Sequence, residues 1–259
     1  MRRTCCDLDG LDEALPCFRM ATAWPRPGEL HLWPWTRAGL RALPLAREDW
    51  LSQRELARLA RLPALLREDA LRLRCAVRRV LSAYLDAPPE SLQFTYGDNG
   101  KPELVTQSAL WFSLSHAKGC ALLAVSATSP IGVDVECIPH PPRDLLAERM
   151  LGPQAWRSYR ALNEVERGRA FALAWAEREA FVKALGVGVA DGWGLCRSLF
   201  GPLPLRTDSA GSRQVAGWQL RLIQVGPGWV AAVCTAGMPA QLRWLLPRQD
   251  RAGVQRRPH

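Results

Sequence analysis

The sequence predicts an α+β protein built from two halves that meet near residue 130. Two observations support this fold class. In each half, segments with helical spacing of apolar residues are flanked by segments that alternate like antiparallel strands, and Ser129-Pro130 interrupts the pattern in mid-chain. A chain of 259 residues, 48% of them hydrophobic, is also long enough to bury a sizeable core.

The first half is predicted to begin with a strand and to continue with two helices. These helices are separated near Pro63, and in the second one the apolar residues and the arginines occupy opposite faces. Gly97-Asp98-Asn99-Gly100 is a strong turn signal. The strands are predicted over 30–35, 92–96, 109–114 and 121–126, and the helices over 44–62 and 64–86.

The second half is predicted to run from a strand through three helices to a hairpin. Gly186, Gly188 and Gly192 are expected to break the chain into turns after the last helix, and Gly226-Pro227-Gly228 is expected to turn the hairpin. The strands are predicted over 131–138, 214–225 and 229–234, and the helices over 143–151, 153–165 and 167–186.

The composition favours a soluble protein with an anionic partner. The net charge of +9 suggests a nucleic acid, a polyphosphate ligand, a membrane surface or an acidic protein, although a solvated arginine-rich surface gives the same excess. The eight cysteines show no zinc-binding spacing. The N-terminus turns acidic before any apolar stretch and the apolar runs are short, so we expect a cytoplasmic protein.

Two carboxylates alternate on the strand predicted after residue 130. Side chains along a strand point to opposite faces in turn, so Asp134 and Glu136 should share one face and Val133 and Val135 the other. Oxygen ligands of this kind suit Mg²⁺. A strand with one solvated polar face shows the same pattern, so the pair alone leaves both interpretations open.

A second set of charges lies on the last long helix. Trp175, Glu179 and Lys183 share one helix face. Glu and Lys at this spacing also form ordinary surface pairs, but the preceding segment 171–175 is apolar all round, which predicts a buried helix whose charges need partners or a metal. Glu179 could be a third metal ligand or a general base, and Lys183 could neutralise a phosphate or protonate a leaving oxygen.

Two further motifs present polar groups. Ser115-His116 ends an apolar strand and could hold an anion through hydroxyl, imidazole and backbone N–H groups, although a lone histidine is more often structural. Gly100-Lys101-Pro102 is a rigid turn that presents one ammonium. Lys101, Lys118 and Lys183 are the only lysines among 34 basic residues, which suggests that some of them supply an ammonium with an adjustable pKa.

In this order, the four motifs resemble those of the 4'-phosphopantetheinyl transferases, in particular the long, pseudo-dimeric type that activates surfactin synthetase. That family shows a G-K-P turn, then F-N-x-S-H, then G-[IV]-D-[IV]-E, and then W-[ST]-x-K-E-[AS]-[FY]-x-K. The corresponding segments of this chain are 100–102, 112–116, 132–136 and 175–183. The resemblance extends from about residue 50 to about residue 235.

The resemblance implies a reaction, a cofactor and a fold. The enzyme would transfer the 4'-phosphopantetheine arm of coenzyme A to a serine of an apo acyl or peptidyl carrier protein, release adenosine 3',5'-bisphosphate and depend on Mg²⁺. The fold would consist of two similar α+β halves related by a pseudo-twofold axis, with the active site between them. We expect an N-terminal half at 1–130, a C-terminal half at 131–240 and a basic, flexible tail at 241–259.

The resemblance also implies roles for individual residues at matching positions. Asp134, Glu136 and Glu179 would hold Mg²⁺. Glu179 would deprotonate the attacking serine, directly or through water, and Lys183 would stabilise or protonate the leaving phosphate. The coenzyme A site would be lined by Lys101, Pro102, Ser115 and His116.

The chain departs from the family motifs at three positions. Ser113 replaces Asn, Ala176 replaces Ser or Thr, and Arg178 replaces Lys. Arg178 keeps the positive charge and could bind a diphosphate through two parallel hydrogen bonds. The family also binds the 3'-phosphate with an arginine in an E-D-A-x-R-like context on the first long helix, which corresponds here to Arg72.

The positive net charge suits coenzyme A, which is polyanionic, and an acidic carrier protein. We expect a monomer that binds neither nucleic acid nor a membrane. Two alternatives share some of the features. Another Mg²⁺-dependent phosphohydrolase or nuclease would use the carboxylates, but it leaves the Ser-His motif unexplained. A non-catalytic nucleic-acid binder would use the arginine-rich helices within 54–79.

Overall fold

Helices and strands occur in the mixed order predicted for an α+β protein. The structure is a computed structural model that describes residues 23–44, 46–201, 212–237 and 241–245. The helices are α1 (Arg37–Ala42), α2 (Gln53–Ala60), α3 (Ala64–Leu85), α4 (Asp144–Met150), α5 (Pro153–Arg160), α6 (Glu164–Leu185) and α7 (Val189–Leu199). The strands are β1 (Glu29–Thr36), β2 (Phe94–Tyr96), β3 (Pro102–Leu104), β4 (Trp111–Ala117), β5 (Cys120–Ser126), β6 (Ile131–Cys137), β7 (Ser212–Val215), β8 (Trp218–Gly226), β9 (Trp229–Ala236) and β10 (Gln241–Trp244).

Two four-stranded sheets form the centre of the fold. The first has the strand order β10-β1-β5-β4 and is antiparallel except for the parallel pair of β1 and β10. The second has the order β6-β9-β8-β7 and is antiparallel throughout. The short strands β2 and β3 form a hairpin around the turn predicted at 97–100. Each half of the chain therefore supplies most of one sheet.

Strand β1 shows how side-chain alternation builds two cores from one sheet. Trp33 and Trp35 belong to the core that contains the buried face of α3, whereas Leu30 and Leu32 belong to the core shared with the second sheet. Each fully buried aliphatic side chain of this kind stabilises the fold by roughly 1.5–3 kcal/mol. The layers follow in the order α3, first sheet, second sheet and α6.

Helix α6 is buried on nearly all sides, as its apolar segment predicted. It begins with a capping box in which Asn163 and Glu166 exchange hydrogen bonds between side chain and backbone. Its alanines favour the helix and permit close contact with the second sheet. The helices α3 and α6 both have 22 residues. In each half a strand and shorter helices come before the long helix and antiparallel strands come after it, so the halves share a coarse element order. The pseudo-twofold axis itself stays a prediction.

The structure corrects several predicted boundaries in the N-terminal half. The helix predicted over 44–62 is shorter, because the side chain of Ser52 caps α2 and the residues before it form a 3₁₀ turn at Glu48–Trp50. The additional helix α1 begins where the Thr36 hydroxyl accepts a hydrogen bond from the Gly39 N–H.

The C-terminal half departs from prediction at several places. The strand predicted over 214–225 is divided by a turn into β7 and β8, which pair antiparallel. The glycines after α6 do not prevent a helix, since α7 forms over Val189–Leu199 and buries Cys196 in the second half's core. The sequence places residues 241–244 in the flexible tail, but Gln241–Trp244 form β10, which pairs with β1. The first 22 residues and the basic segment 248–259 lie outside the described residues.

Within the described part of the chain, no helix is long and apolar enough to cross a membrane. The cysteines that the structure describes carry free thiols, and most of them are buried.

Candidate active site

The candidate site lies where the edge strands of the two sheets, β4 and β6, run side by side. The Ser113 hydroxyl accepts a hydrogen bond of 3.1 Å from the Val133 N–H, which joins β4 to β6 across the two halves. Ser113 stands where the family motif has Asn, and a hydroxyl can accept this bond as well as an amide oxygen can. Ser113 therefore supplies a contact between the halves.

Asp134 is the centre of a buried polar cluster. Its Oδ1 accepts hydrogen bonds from the Ser115 hydroxyl at 2.7 Å and from the Lys183 ammonium at 2.6 Å. The ammonium also lies 3.2 Å from the Ser115 hydroxyl. Only 3% of Asp134 is exposed, and its Oδ2 is buried without a hydrogen-bond partner among the described residues. A buried carboxylate oxygen without a donor is costly unless a ligand or a cation satisfies it.

Gly132 explains how α6 reaches β6 closely enough to form this cluster. A Cβ at position 132 would collide with the backbone of Ala180 and Ala184. The strand therefore needs glycine here, and alanines on the facing side of the helix complete the close contact. This approach brings Asp134 on β6 within hydrogen-bond distance of Lys183 on α6.

The three predicted metal ligands share a strongly perturbed electrostatic environment. Burial raises the pKa of Asp134, although Lys183 and Ser115 oppose the shift. Burial, followed by the charge of Asp134, raises the pKa of Glu136 to about 7. Burial also raises the pKa of Glu179, with Lys183 opposing the shift and Asp134 adding to it. The charge of Asp134 thus raises the pKa of both Glu136 and Glu179, and such mutually perturbed carboxylates are common at functional sites.

These carboxylates fit a hard cation by their chemistry and by the unpartnered oxygen of Asp134. Across the residues that the structure describes, however, no three carboxylate, imidazole or thiol side chains are gathered as a metal site requires. The assignment of Mg²⁺ to Asp134, Glu136 and Glu179 therefore stays a prediction.

A cleft of about 330 Å³ opens beside this cluster, between the two halves. Glu179 and Lys183 line it from α6, and Lys101 and Pro102 line it from the predicted turn. The Lys101 ammonium donates to two backbone carbonyls, that of Lys183 at 2.6 Å and that of Ile131 at 3.3 Å. The turn and the helix motif, 82 residues apart, thus meet at one place.

The side chains of Ser115 and His116 point to opposite faces of β4. The Ser115 side chain is buried against Asp134, whereas His116 lines a second cavity of about 310 Å³ on the α3 side. This separation follows from the alternation of side chains along a strand. Desolvation and then the positive charges of Lys183 and Arg74 lower the pKa of His116, although the residue is partly open to solvent.

Sequence reasoning missed the basic residues of this second cavity. Arg74 on α3 and Arg58 on α2 line it together with Tyr96, and the Arg58 guanidinium lies 4.2 Å from the centre of the Tyr96 ring. The signal was present, because Arg74 shares a helix face with the apolar residues around it. An arginine on the buried face of an amphipathic helix is costly unless an anionic group pairs with it, so this position indicates a candidate ligand contact.

The structure places Arg72 away from this cavity. Arg72 and Arg74 are two residues apart, so their side chains leave the helix in directions that differ by roughly 200°. Arg74 faces the second cavity, and Arg72 therefore points to the other side, toward α1. Its guanidinium donates to the carbonyls of Leu43 and Arg41 and to Glu68. These partners hold α1 against α3. Arg72 lines neither the cleft nor the second cavity, and its phosphate contact stays a prediction.

Arg178 also has a different place from the one predicted. Its side chain is 2% exposed, donates to the Ala174 carbonyl and lies 4.7 Å from the centre of the Phe200 ring. Burial lowers its pKa to about 10, and Glu177 opposes that shift. The guanidinium packs inside the C-terminal half, and it does not extend into the cleft as a diphosphate ligand would.

Comparisons with known proteins agree with the motifs. The sequence pattern of the 4'-phosphopantetheinyl transferase superfamily matches residues 130–234. The 4'-phosphopantetheinyl transferase HetI of a Nostoc species is 33% identical over 166 residues, which cover 62% of this chain and 68% of that protein. A putative 4'-phosphopantetheinyl transferase of a Synechocystis species is 38% identical over 125 residues, covering 47% of this chain and 51% of that protein.

A mammalian protein is also similar. The L-aminoadipate-semialdehyde dehydrogenase-phosphopantetheinyl transferase of Mus musculus is 28% identical over 151 residues, covering 54% of this chain and 48% of that protein. The alignments thus span about half the length of the Synechocystis and mouse proteins and about two thirds of the Nostoc protein.

Proposed function

Because the chain belongs to the 4'-phosphopantetheinyl transferase superfamily, we propose that it transfers the 4'-phosphopantetheine arm of coenzyme A to a serine of an apo carrier protein. The observation that carries the proposal is the cluster of Asp134, Lys183 and Ser115, which opens onto a cleft between the halves. The cluster combines an ammonium, a hydroxyl and a carboxylate with one unsatisfied oxygen, a set suited to a phosphoryl group in transfer.

The reaction exchanges one phosphorus–oxygen bond for another. The serine oxygen attacks the phosphorus that carries the pantetheine arm, and the bond from this phosphorus to the oxygen of the adenosine-bound phosphate breaks. The products are the phosphopantetheinylated serine and adenosine 3',5'-bisphosphate. Catalysis then consists of removing the serine proton, orienting the diphosphate and stabilising the charge on the leaving oxygen.

Glu179 is suited to remove the serine proton. It lines the cleft, and burial raises its pKa toward the range in which a carboxylate is an effective base near neutral pH. Lys183, one helical turn further on, lies beside it and would direct its ammonium at the leaving phosphate. A compact ammonium can both neutralise that phosphate and donate a proton to it.

Mg²⁺ would be held by Asp134, Glu136 and Glu179 and would neutralise charge on the diphosphate. The unpartnered Oδ2 of Asp134 supports this assignment from the protein side. The hydrogen bonds from Ser115 and Lys183 orient the Asp134 carboxylate by its other oxygen.

The nucleotide end of coenzyme A would occupy the second cavity. Arg58 and Arg74 provide positive charge there, Tyr96 offers an aromatic face, and His116 adds a polar ring. Pro102 lines both cavities, so the nucleotide pocket and the catalytic cleft adjoin at the predicted turn. This assignment replaces Arg72 with Arg74 as the helix residue nearest to the 3'-phosphate.

Incubation with coenzyme A, Mg²⁺ and a panel of apo acyl and peptidyl carrier proteins tests the proposal. Intact mass spectrometry should detect the addition of one phosphopantetheine arm to a carrier, with release of adenosine 3',5'-bisphosphate in equal amount. Breakdown of coenzyme A with no gain of carrier mass would instead support a phosphohydrolase. Salt-sensitive binding of DNA without either reaction would support the nucleic-acid binder.

A further inference from the structure

We infer that Lys101 is a positioning residue, whose ammonium holds the carboxyl end of α6, and with it Lys183, against the N-terminal half. The inference rests on the proposed function only for its kinetic consequence. It departs from the expectation that Lys101 serves as a contact for coenzyme A, and it gives this lysine a role within the protein itself.

Two short contacts support the inference. The Lys101 Nζ lies 2.6 Å from the Lys183 carbonyl oxygen and 3.3 Å from the Ile131 carbonyl oxygen. Lys101 precedes β3 in the N-terminal half, whereas Lys183 lies on α6 and Ile131 begins β6. One ammonium therefore joins the turn of one half to both a helix and a strand of the other.

Position 183 is where α6 can use an external donor. The last four carbonyls of a helix lack the usual partner four residues on, and α6 ends at Leu185, so the Lys183 carbonyl is among them. Its one backbone donor is the Gly186 N–H at 3.3 Å, which leaves the second lone pair of the oxygen for Lys101. A positive charge at a helix carboxyl terminus is further stabilised by the helix dipole. Lys101 supplies both the donor and the charge from a distant part of the chain.

A second set of contacts holds the same surfaces together. The Asn99 side-chain amide donates to the Gly186 carbonyl at 3.4 Å. Gly188 packs against Asn99 so closely that a Cβ at position 188 would collide with the amide oxygen. The turn itself is fixed by a 2.8 Å hydrogen bond from the Gly100 N–H to the Gly97 carbonyl. The turn therefore forms a docking surface shaped for the end of α6.

This docking matters because Lys183 is held at both ends. Its carbonyl accepts the bond from Lys101, while its ammonium donates to Asp134 and Ser115. Loss of the bond to the backbone would leave the position of the catalytic ammonium to the side-chain contacts alone. Misplacement by about 1 Å costs roughly 100-fold in rate for a well-oriented reaction.

Hydrogen exchange of the whole protein, without substrates, tests the docking directly. Lys101→Met keeps the apolar stem and removes the donors, and Lys118→Met is the matched control, because Lys118 is exposed in the turn between β4 and β5. We expect faster exchange of the amides in the last turn of α6 in Lys101→Met and unchanged exchange in Lys118→Met. Unchanged exchange in Lys101→Met overturns the inference.

Steady-state kinetics separates positioning from ligand binding. For Lys101→Met we expect kcat to fall roughly 10- to 100-fold while KM for coenzyme A stays within about twofold. A rise in KM with kcat unchanged would identify Lys101 as a ligand contact and overturn the inference. If Lys101→Met does not fold, Asn99→Ala weakens the same docking surface and should produce the same two changes at smaller size.

The two readouts keep this inference distinct from the proposed function. If the unmodified protein transfers no phosphopantetheine, the proposed function fails, but hydrogen exchange still decides whether Lys101 holds α6. If transfer is normal and exchange in Lys101→Met matches the unmodified protein, the proposed function stands and the positioning role fails.

Discussion

Two buried carboxylates, Glu55 in the N-terminal half and Asp134 in the C-terminal half, are satisfied to different degrees. In the N-terminal half, Glu55 is 5% exposed and accepts a 2.6 Å bond from Arg78, which also donates to two backbone carbonyls. In the C-terminal half, Asp134 is as deeply buried, but one of its oxygens has no partner within the described residues. The Glu55 carboxylate has donors from its own chain, whereas the Oδ2 of Asp134 still needs a donor or a cation.

The pKa shifts express the same difference. Burial alone would raise the pKa of Glu55, but the hydrogen bonds from Arg78 and Ser52 more than offset it, so the pKa is lowered. For Glu136, burial and the neighbouring Asp134 raise the pKa to about 7. The comparison teaches that a buried carboxylate with a full set of donors in its own chain keeps a low pKa, whereas buried carboxylates close to one another have raised pKa values, which makes them candidates for a ligand site.

Glu179→Gln is expected to have the largest effect on activity. The change removes the base while keeping the size of the side chain, so kcat should fall by roughly 10²- to 10⁴-fold. Thermal unfolding should occur at or above the temperature of the unmodified protein, because a perturbed carboxylate is removed. Transfer assays and calorimetry on the same preparation check both expectations. Retained turnover would show that Glu179 is not the base.

Glu55→Gln is expected to have the largest effect on stability. It leaves the Arg78 charge buried without its partner, so the free energy of unfolding should fall by about 3–5 kcal/mol in urea titrations. Asp49→Asn is the control, because its pair with Arg47 is exposed, and it should change stability by less than about 1 kcal/mol. Equal losses in the two variants would contradict the contrast between buried and exposed pairs.

The Glu55 pair also has a predicted pH dependence. Since the folded-state pKa lies below the ordinary value of 4.5, the pair contributes its full stability above that pH and loses it as the pH falls through the folded-state pKa. The unmodified protein should therefore lose stability on acidification, and Glu55→Gln should lose less over the same range. Parallel curves for the two proteins would contradict the pairing.

Lys183→Arg tests whether the cleft needs the compact ammonium of lysine or only a positive charge at this position. Arginine keeps the positive charge but replaces a compact ammonium with a larger group that does not release its proton, so kcat should fall by roughly 10- to 100-fold. Arg178 shows that arginine is accepted elsewhere on the same helix, where its role is packing. Wild-type kcat in Lys183→Arg would show that charge alone suffices at this position.

Arg74→Ala and Arg72→Ala form a matched pair for the N-terminal half. Both remove an arginine from α3, but only Arg74 lines the second cavity. KM for coenzyme A should rise roughly 10-fold in Arg74→Ala, which corresponds to the loss of one charge-assisted hydrogen bond. It should change by less than about twofold in Arg72→Ala. The reverse result would restore the assignment made from the sequence motif.

Local patterns predicted the long elements and the residues that meet through them. The helices α3 and α6 and the strands β4, β5 and β6 follow from periodicity, since spacing determines which side chains share a face. Asp134 and Lys183 meet because β6 and α6 are packed together with a glycine at the contact. The sequence motif includes Gly132, but only the structure shows that glycine is needed there to let α6 approach β6.

What failed to follow from the sequence depends on tertiary contacts. Arg72 fitted the motif, yet the direction of a side chain around a helix is decided by which neighbour packs there, and α1 was not predicted. The sequence motif makes Arg178 a candidate ligand, but its guanidinium is buried against Phe200 at the end of α7. The glycines at 186, 188 and 192 predict turns there, so α7 was not expected. Lys101 reaches a carbonyl that no local pattern could assign.

Magnesium binding to the whole protein tests the central contrast most directly. Isothermal titration with Mg²⁺ in the presence of coenzyme A, corrected by a titration of coenzyme A alone, should give saturable binding at one site. Binding should disappear in Asp134→Asn, because the unpaired oxygen of that carboxylate is the clearest sign of a missing cation. Equal binding heats in Asp134→Asn and the unmodified protein would contradict the account.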